Sequence, residues 1–168
     1  MFEVEIKAPS SPAIEKKVAT LCEFHGKVVQ EDDYFQHPCR DMKKTDEALR
    51  VRIVGGEFFL TYKGPKAKGD MKMRLEIEFP VDKKIYALLT SLGFVKTLTV
   101  KKTRRIYSYG GIEVALDDVK GLGKYIEIEA RKKTSRKNIL PLAAKLGLKK
   151  DSWTTKSYTQ LLDEKRLR

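Results

Sequence analysis

The chain has 168 residues, 41% of them hydrophobic, and a formal net charge of +12. This length fits one domain with one substantial core, and no apolar run is long enough for a membrane span or a signal peptide. Two isolated cysteines without ligand-spaced histidines exclude a zinc site and a disulfide framework and predict a reducing, cytoplasmic location, while the charge predicts an anionic partner.

The first predicted strand, residues 2–8, alternates strictly between apolar and charged residues. In an extended chain, Glu3, Glu5 and Lys7 therefore share one face, and Val4 and Ile6 lie on the other. The strand stops before Ser10-Ser11-Pro12, which predicts the start of a helix that ends at Gly26. The apolar residues of this strand are expected to pack beneath helices that carry Leu21, Leu88 and Leu89.

The middle of the chain predicts a strand over 27–37, then a hairpin of strands 48–54 and 57–63 joined by a Gly-Gly turn. Arg50 and Arg52 alternate with apolar neighbours in the hairpin. The next predicted strand, 71–81, places Arg74, Glu76 and Glu78 on one face. A second helix follows it, capped by Asp82.

The last part predicts strands over 94–109, 112–118 and 125–132 and two further helices. Lys102 and Arg104 share one strand face, Asp117 lies on one face of the next strand, and Glu127 and Glu129 share a face of the last. About eight strands with helices between and after them predict an α+β fold with an antiparallel sheet.

Charged faces of this kind recur in at least five predicted strands and hold almost only carboxylate, ammonium and guanidinium groups. Solvated faces of an open antiparallel sheet are one interpretation. The other is a closed eight-stranded barrel with the charges inside and the apolar faces under helices. Arg and Lys bind phosphate and carboxylates bind divalent metals, so a closed barrel would suit a phosphate-rich ligand.

Several motifs also occur together in a fixed order: residues 3–7 (ExExK), 33–35 with 47–52, 74–78, 116–123 with 127–129, and 157–162. Together they resemble the CYTH superfamily of triphosphate tunnel enzymes, and they are closest to its class IV adenylyl cyclases. The resemblance implies a single domain over residues 1–168, an eight-stranded antiparallel tunnel with a charged interior, and a cytoplasmic enzyme that forms a homodimer and depends on Mg²⁺ or Mn²⁺.

The resemblance also assigns roles to the charged residues. It implies metal ligation by Glu3, Glu5, Asp117, Glu127 and Glu129. It implies phosphate binding by Lys7, Arg50, Arg52, Lys63, Arg74, Lys102 and Arg104, with Lys7, Arg104 and Asp117 as the catalytic set. Glu76 and Glu78 either hold a second metal, orient neighbouring arginines or belong to a structural ion-pair network.

Three functions remain open from the sequence. The first is an adenylyl cyclase that converts ATP into cyclic AMP and pyrophosphate, which an apolar pocket at the tunnel mouth would favour. The second is a triphosphatase acting on tripolyphosphate, thiamine triphosphate, nucleotides or RNA 5′ ends. The third, a noncatalytic module that binds nucleic acid or polyphosphate, ranks last because carboxylates on the ligand-facing side would repel a phosphate backbone.

Overall fold

The computed structural model describes residues 2–67, 72–130 and 137–167, without the side chains of residues 2, 3 and 72. The strands are β1 (Phe2–Pro9), β2 (Glu23–Gln36), β3 (Ala48–Val54), β4 (Glu57–Lys63), β5 (Lys72–Val81), β6 (Val95–Tyr109), β7 (Ile112–Val119) and β8 (Gly123–Ala130). The α-helices are α1 (Pro12–Leu21), α2 (Ile85–Ser91), α3 (Ile139–Leu146) and α4 (Tyr158–Arg166), and a short 3₁₀ helix covers Lys150–Ser152. None of the helices in the described ranges is both long and apolar enough to cross a membrane.

All eight strands are antiparallel to their neighbours and form a closed barrel in the order β1-β5-β4-β3-β2-β6-β7-β8, with β8 pairing back onto β1. The predicted α+β class and the closed eight-stranded barrel are therefore confirmed. The hairpin turn at Gly55 and Gly56 is also confirmed, since both glycines have the positive φ that such a turn requires.

The first helix is shorter than the sequence predicted. Ser11 caps it by accepting a hydrogen bond from the backbone N–H of Ile14, and the helix ends at Leu21. The prediction that it ends at Gly26 is wrong. Strand β2 begins at Glu23, and Gly26 lies inside it where the pairing with β6 shifts register. A glycine can therefore mark a strand irregularity as well as a helix end.

The largest apolar core lies outside the barrel, between strands β1, β7 and β8 and helices α1 and α3. Val4 and Ile6 of β1 are 3% and 2% exposed and pack in this core, so the alternate charged residues of β1 face inward. Helix α3 supplies much of the cover. Helix α1, which carries Leu21, packs in this core through Val18, so the expected cover of β1 is confirmed for α1, whereas the expectation is wrong for α2, whose Leu89 packs elsewhere.

A second core forms where α2 packs Leu89 against Phe35 of β2 and Val51 of β3. Asp33 also lies on this outer face and is buried. It accepts hydrogen bonds from the Tyr86 hydroxyl (2.7 Å) and the Thr99 hydroxyl (2.6 Å), and Lys96 pairs with it at 2.7 Å. Buried polar groups need such partners, and the hydrogen bond from Tyr86 attaches α2 to the barrel, whereas Thr99 and Lys96 lie on β6.

Helix α4 packs on an apolar belt at one end of the barrel. Val100 and Val119 lie on the same strand faces as Lys102 and Asp117, yet they form a third core with Tyr158 of α4. Ser157 caps α4, with Gln160 completing a capping box. The inner faces are thus charged along the middle of the barrel and apolar at the end that α4 covers.

Candidate functional site

The barrel interior, called the tunnel below, contains a cavity of about 50 Å³ with almost entirely charged walls. Residues from seven strands and from the start of α4 line it: Glu5, Lys7, Tyr34, Arg50, Arg52, Lys63, Arg74, Glu76, Lys102, Arg104, Glu127, Glu129, Ser157 and Tyr158. All seven predicted phosphate-binding residues are in this set. Strand register explains the pairing of charges, because Lys7 lies opposite Glu127 and Lys63 opposite Glu76.

One side of the tunnel is organised by Asp32, which is 2% exposed. Arg52 binds both of its oxygens, through Nε at 2.7 Å and Nη2 at 2.8 Å, and Arg50 Nη1 lies 3.1 Å from Oδ2. Burial raises the pKa of Asp32, but the two guanidinium groups outweigh it and hold the pKa well below its usual range. Glu78 supports the same arginine, since it pairs with Arg50 Nη2 at 3.5 Å and accepts a hydrogen bond from Thr61.

The other side is organised by Asp117. Arg104 binds its two oxygens at 2.7 Å each, and Lys102 and the Tyr158 hydroxyl each donate to Oδ2 at 2.8 Å. Burial raises the pKa of Asp117, yet Arg104 and Lys102 lower it overall. Burial and the nearby Arg104 lower the pKa of Lys102 to about 8. The Asp117 side chain lies behind these cations rather than on the cavity wall, and its role as a metal ligand stays a prediction.

Three of the predicted metal ligands, Glu5, Glu127 and Glu129, line the cavity together. Carboxylate oxygen is the donor type that Mg²⁺ and Mn²⁺ prefer, so the chemistry of this set fits the predicted ion. Within the described residues, however, no three acidic, His or Cys side chains converge closely enough to enclose a metal. Glu3 pairs with Arg74 in the β1–β5 register, and its side chain lies outside the described part.

The Lys7 ammonium lies between two of these carboxylates. Its Nζ is 3.2 Å from Glu5 Oε1 and 3.1 Å from Glu127 Oε1, and it donates to the backbone carbonyl of Lys156 at 3.2 Å. The Tyr158 ring lies beneath it, 4.2 Å from the ring centre. Burial lowers the pKa of Lys7, but Glu5 and Glu127 more than offset this and keep the amine charged.

Arg74 differs from the other tunnel arginines. It is 7% exposed, and its Nε is buried with no hydrogen-bond partner among the residues that the structure describes. A buried unsatisfied donor is rare and costs stability unless a ligand meets it. Arg74 also lines a second cavity, so this residue belongs to the walls of both spaces.

The second cavity, called the mouth cavity below, has a volume of about 310 Å³ and lies beside α4. It shares Tyr34, Arg74 and Ser157 with the tunnel. Its walls differ from those of the tunnel because apolar residues contribute to them: Phe35, Met42, Ala48, Leu49 and Leu98. Ion pairs at its edge, Lys43 with Asp163 (2.6 Å) and Lys66 with Asp46 (3.1 Å), join the surrounding loops to each other and to α4.

Some tunnel residues were not predicted from the sequence. Gln30 and Asp32 alternate with outward residues of β2, and Glu113 lies on the same face of β7 as Asp117, 3.6 Å from Arg104 Nη1. The alternation that identified the other charged faces would have placed all three inside. Tyr158 carried no such signal, because its contact with Asp117 depends on how α4 packs.

Comparison with known proteins agrees with this geometry. The family model described as the CYTH domain matches residues 1–158. A "Putative adenylate cyclase" of Methanocaldococcus jannaschii is 37% identical over 96% of this chain and 98% of its own length. An adenylate cyclase of Aeromonas hydrophila is 28% identical over 97% of this chain and 90% of its own.

Solved structures share the fold. The PH1819 protein of Pyrococcus horikoshii superposes with a TM-score of 0.87 and 45% identity, covering 98% of this chain and 99% of its own. A more distant structure, from Hippeastrum, has a TM-score of 0.73 and 17% identity over 97% and 95% of the two chains. That protein is described as an adenylyl cyclase candidate with a dominant triphosphatase activity.

Proposed function

The chain belongs to the CYTH domain family, and from that premise we propose that it is a metal-dependent enzyme that converts ATP into cyclic AMP and pyrophosphate. The observation that carries this proposal is that the two cavities share wall residues. The tunnel, whose cations suit a triphosphate, and the larger cavity with partly apolar walls have Tyr34, Arg74 and Ser157 in common. ATP likewise consists of a charged triphosphate and a less polar adenosine.

The tunnel supplies donors for the triphosphate. A triphosphate exposes charged oxygens on all sides, and fixed cations around it stabilise the charge that moves during phosphoryl transfer. The described cations other than Arg74 are paired with carboxylates, so phosphate oxygens would replace those carboxylates as their partners. Arg74 can donate from Nε without breaking any bond that the described residues show.

The carboxylates supply the metal site. Glu5, Glu127 and Glu129, with Glu3 and Asp117 as further predicted ligands, would hold Mg²⁺ or Mn²⁺. When bound, the ion would supply neutralisation of phosphate charge and a lowered pKa for the attacking hydroxyl. Among the protein's own groups, Lys7 and Arg104 would neutralise oxygens of the leaving pyrophosphate, and Arg50 and Arg52 would fix the orientation of the chain of phosphates.

The mouth cavity would hold the adenosine part. Its volume of about 310 Å³ is in the range of small-molecule sites, and its walls combine apolar and polar groups as such sites do. Holding the nucleoside there would position the 3′-hydroxyl near the α-phosphate, the arrangement that cyclisation needs. The naming of two relatives as adenylate cyclases is consistent with this proposal.

A triphosphatase is the second candidate. The tunnel donors would hold a triphosphate whatever is attached to it, and water could replace the 3′-hydroxyl as the nucleophile. The Hippeastrum protein, which shares this fold, is described as mainly a triphosphatase. For this reaction the mouth cavity would be needed only if the substrate is a nucleotide or an RNA 5′ end.

Product analysis separates the two reactions. Purified protein is incubated with ATP or with tripolyphosphate, each with Mg²⁺ and with Mn²⁺, and the products are resolved by chromatography. Cyclic AMP and pyrophosphate in equal amounts support the cyclase. Phosphate release from both substrates without cyclic AMP contradicts it and supports the triphosphatase.

A substitution in the mouth cavity tests the role of that space. Ala48 lies on the same face of β3 as Arg50 and lines the cavity, so Ala48→Trp should fill it without removing any polar group. We expect a loss of ATP conversion while tripolyphosphate binding is retained. Ala87→Trp, on the exposed surface of α2, is the matched control. Equal ATP conversion by the two variants would contradict an adenosine site here.

A further inference from the structure

Lys7 lies between Glu5 and Glu127, two of the predicted metal ligands. Its ammonium forms ion pairs with one oxygen of each carboxylate at 3.2 and 3.1 Å, and it donates a hydrogen bond to the Lys156 carbonyl at 3.2 Å. The side chain is 3% exposed. A single cation is held here by protein oxygens on three sides.

Two carboxylates at one buried site need a positive charge between them, because two like charges close together repel each other. Lys7 provides that charge from within the chain, and Arg104 pairs with the other oxygen of Glu127. A divalent ion from solution, ligated by the same oxygens, would provide the positive charge instead. The ammonium and the metal cannot occupy one position, so binding of the metal requires the Lys7 side chain to leave.

We infer that Lys7 is a built-in competitor of the metal ion: it neutralises Glu5 and Glu127 until a divalent cation displaces it, and the displaced ammonium then binds a phosphate oxygen. This inference rests on the proposed metal-dependent function. It adds an order of binding to that function, since Lys7 becomes available to the triphosphate only after the metal has bound the two carboxylates. Metal and triphosphate would then bind cooperatively, each strengthening the other.

The inference predicts that removal of the amine strengthens metal binding. A ligand that binds only a minor conformer has its affinity reduced by that conformer's population, so a Lys7 side chain in place for roughly nine-tenths of the time weakens metal binding about tenfold. Lys7→Met keeps most of the side-chain volume and removes the charge. It should bind Mn²⁺ about tenfold more tightly than the unmodified chain.

Lys63→Met is the matched control. Lys63 is also a buried tunnel lysine, and its ammonium pairs with Glu76, 2.6 Å away. Its removal changes the overall tunnel charge by the same amount without clearing the space between Glu5 and Glu127. We expect its Mn²⁺ affinity to stay within about threefold of the unmodified chain, since more distant charges interact weakly in a screened site.

The experiment titrates Mn²⁺ into metal-free protein by calorimetry, with no triphosphate present, and repeats thermal melts over the same Mn²⁺ range. A larger affinity and a larger Mn²⁺-induced rise in Tm for Lys7→Met than for Lys63→Met support the inference. Equal or weaker Mn²⁺ binding by Lys7→Met overturns it, as does an equal gain in both variants. If Lys7→Met does not fold, Lys7→Gln makes the same test with a polar side chain.

This outcome is separable from that of the proposed reaction. Mn²⁺ binding that follows the prediction, together with an absence of cyclic AMP, would leave the inference standing and overturn the cyclase. Cyclic AMP formation, with equal Mn²⁺ affinity of the two lysine variants, would support the cyclase and overturn the inference. Mn²⁺ binding by none of the proteins would overturn the inference and the metal-dependent reaction together.

Discussion

Arg74→Met should weaken triphosphate binding without lowering stability. Loss of one charge-assisted hydrogen bond to a ligand costs about 1.5–3 kcal/mol, which is about a tenfold to hundredfold increase in Kd. The folded protein loses little, because Arg74 Nε has no hydrogen-bond partner among the described residues. Methionine also removes a buried unsatisfied donor, so the Tm should be equal to that of the unmodified chain or slightly higher.

Arg52→Met provides the contrast. Arg52 is equally a tunnel arginine, but it makes two hydrogen bonds to Asp32 at 2.7 and 2.8 Å. Its removal leaves a buried carboxylate with fewer donors, which should cost about 2 kcal/mol and lower the Tm by roughly 4–8 °C for a chain of this size. Triphosphate binding should fall as well.

The assay combines tripolyphosphate titration by calorimetry with thermal melts of both variants. We expect Arg74→Met to lose affinity alone and Arg52→Met to lose both affinity and stability. A drop in Tm for Arg74→Met as large as that for Arg52→Met would show that Arg74 has a structural partner. Unchanged tripolyphosphate affinity would show that its Nε is not directed at the ligand.

Three further predictions concern the fold and its charges. Val4→Asp should destabilise the protein by several kcal/mol in thermal melts, because it buries a carboxylate in the outer core. Val29→Asp, on the exposed part of β2, should change stability by less than about 0.5 kcal/mol. Similar losses for the two variants would reverse the assigned faces. Tyr158→Phe should lose about 1 kcal/mol with its hydrogen bond to Asp117, and an unchanged Tm would show that this bond contributes nothing. Stability should fall below about pH 4. Burial raises the pKa of Asp32, but its two arginines lower it by more, so this pKa is lower in the folded than in the unfolded protein. An Asp32→Asn variant should show a shallower decline in Tm from pH 7 to pH 3, and an identical decline would contradict this assignment.

Much of the barrel was readable from the period-2 alternation of charge. Strands such as β1 and β5 put every second side chain on one face, and a closed sheet leaves only an inside and an outside. Arg50, Arg74 and Arg104 could therefore be grouped before any pairing was known. Asp32 was missed only because the same rule was not applied to β2, where Gln30, Asp32 and Tyr34 alternate with outward residues.

Other parts of the site could not be read locally. The mouth cavity combines Met42 from a loop, Ala48 and Leu49 from β3, Leu98 from β6 and Gln160 from α4, and no sequence spacing relates these segments. The contact of Tyr158 with Asp117 likewise depends on the packing of α4. Helix α2 was wrongly assigned to the cover of β1 because an amphipathic helix shows which face is buried and not which strand it meets.

The residues on the two faces of each strand can also change independently of each other during evolution. Because the largest apolar core lies outside the barrel and the ligand-facing charges lie inside, a substitution at a charged inner position leaves that core intact, and the reverse is also true. Substrate choice can therefore diverge by exchanging alternate residues while the scaffold persists, which is how one fold comes to carry several chemistries. The limit is the pairing of opposite charges inside, since an inner cation and its carboxylate must change together.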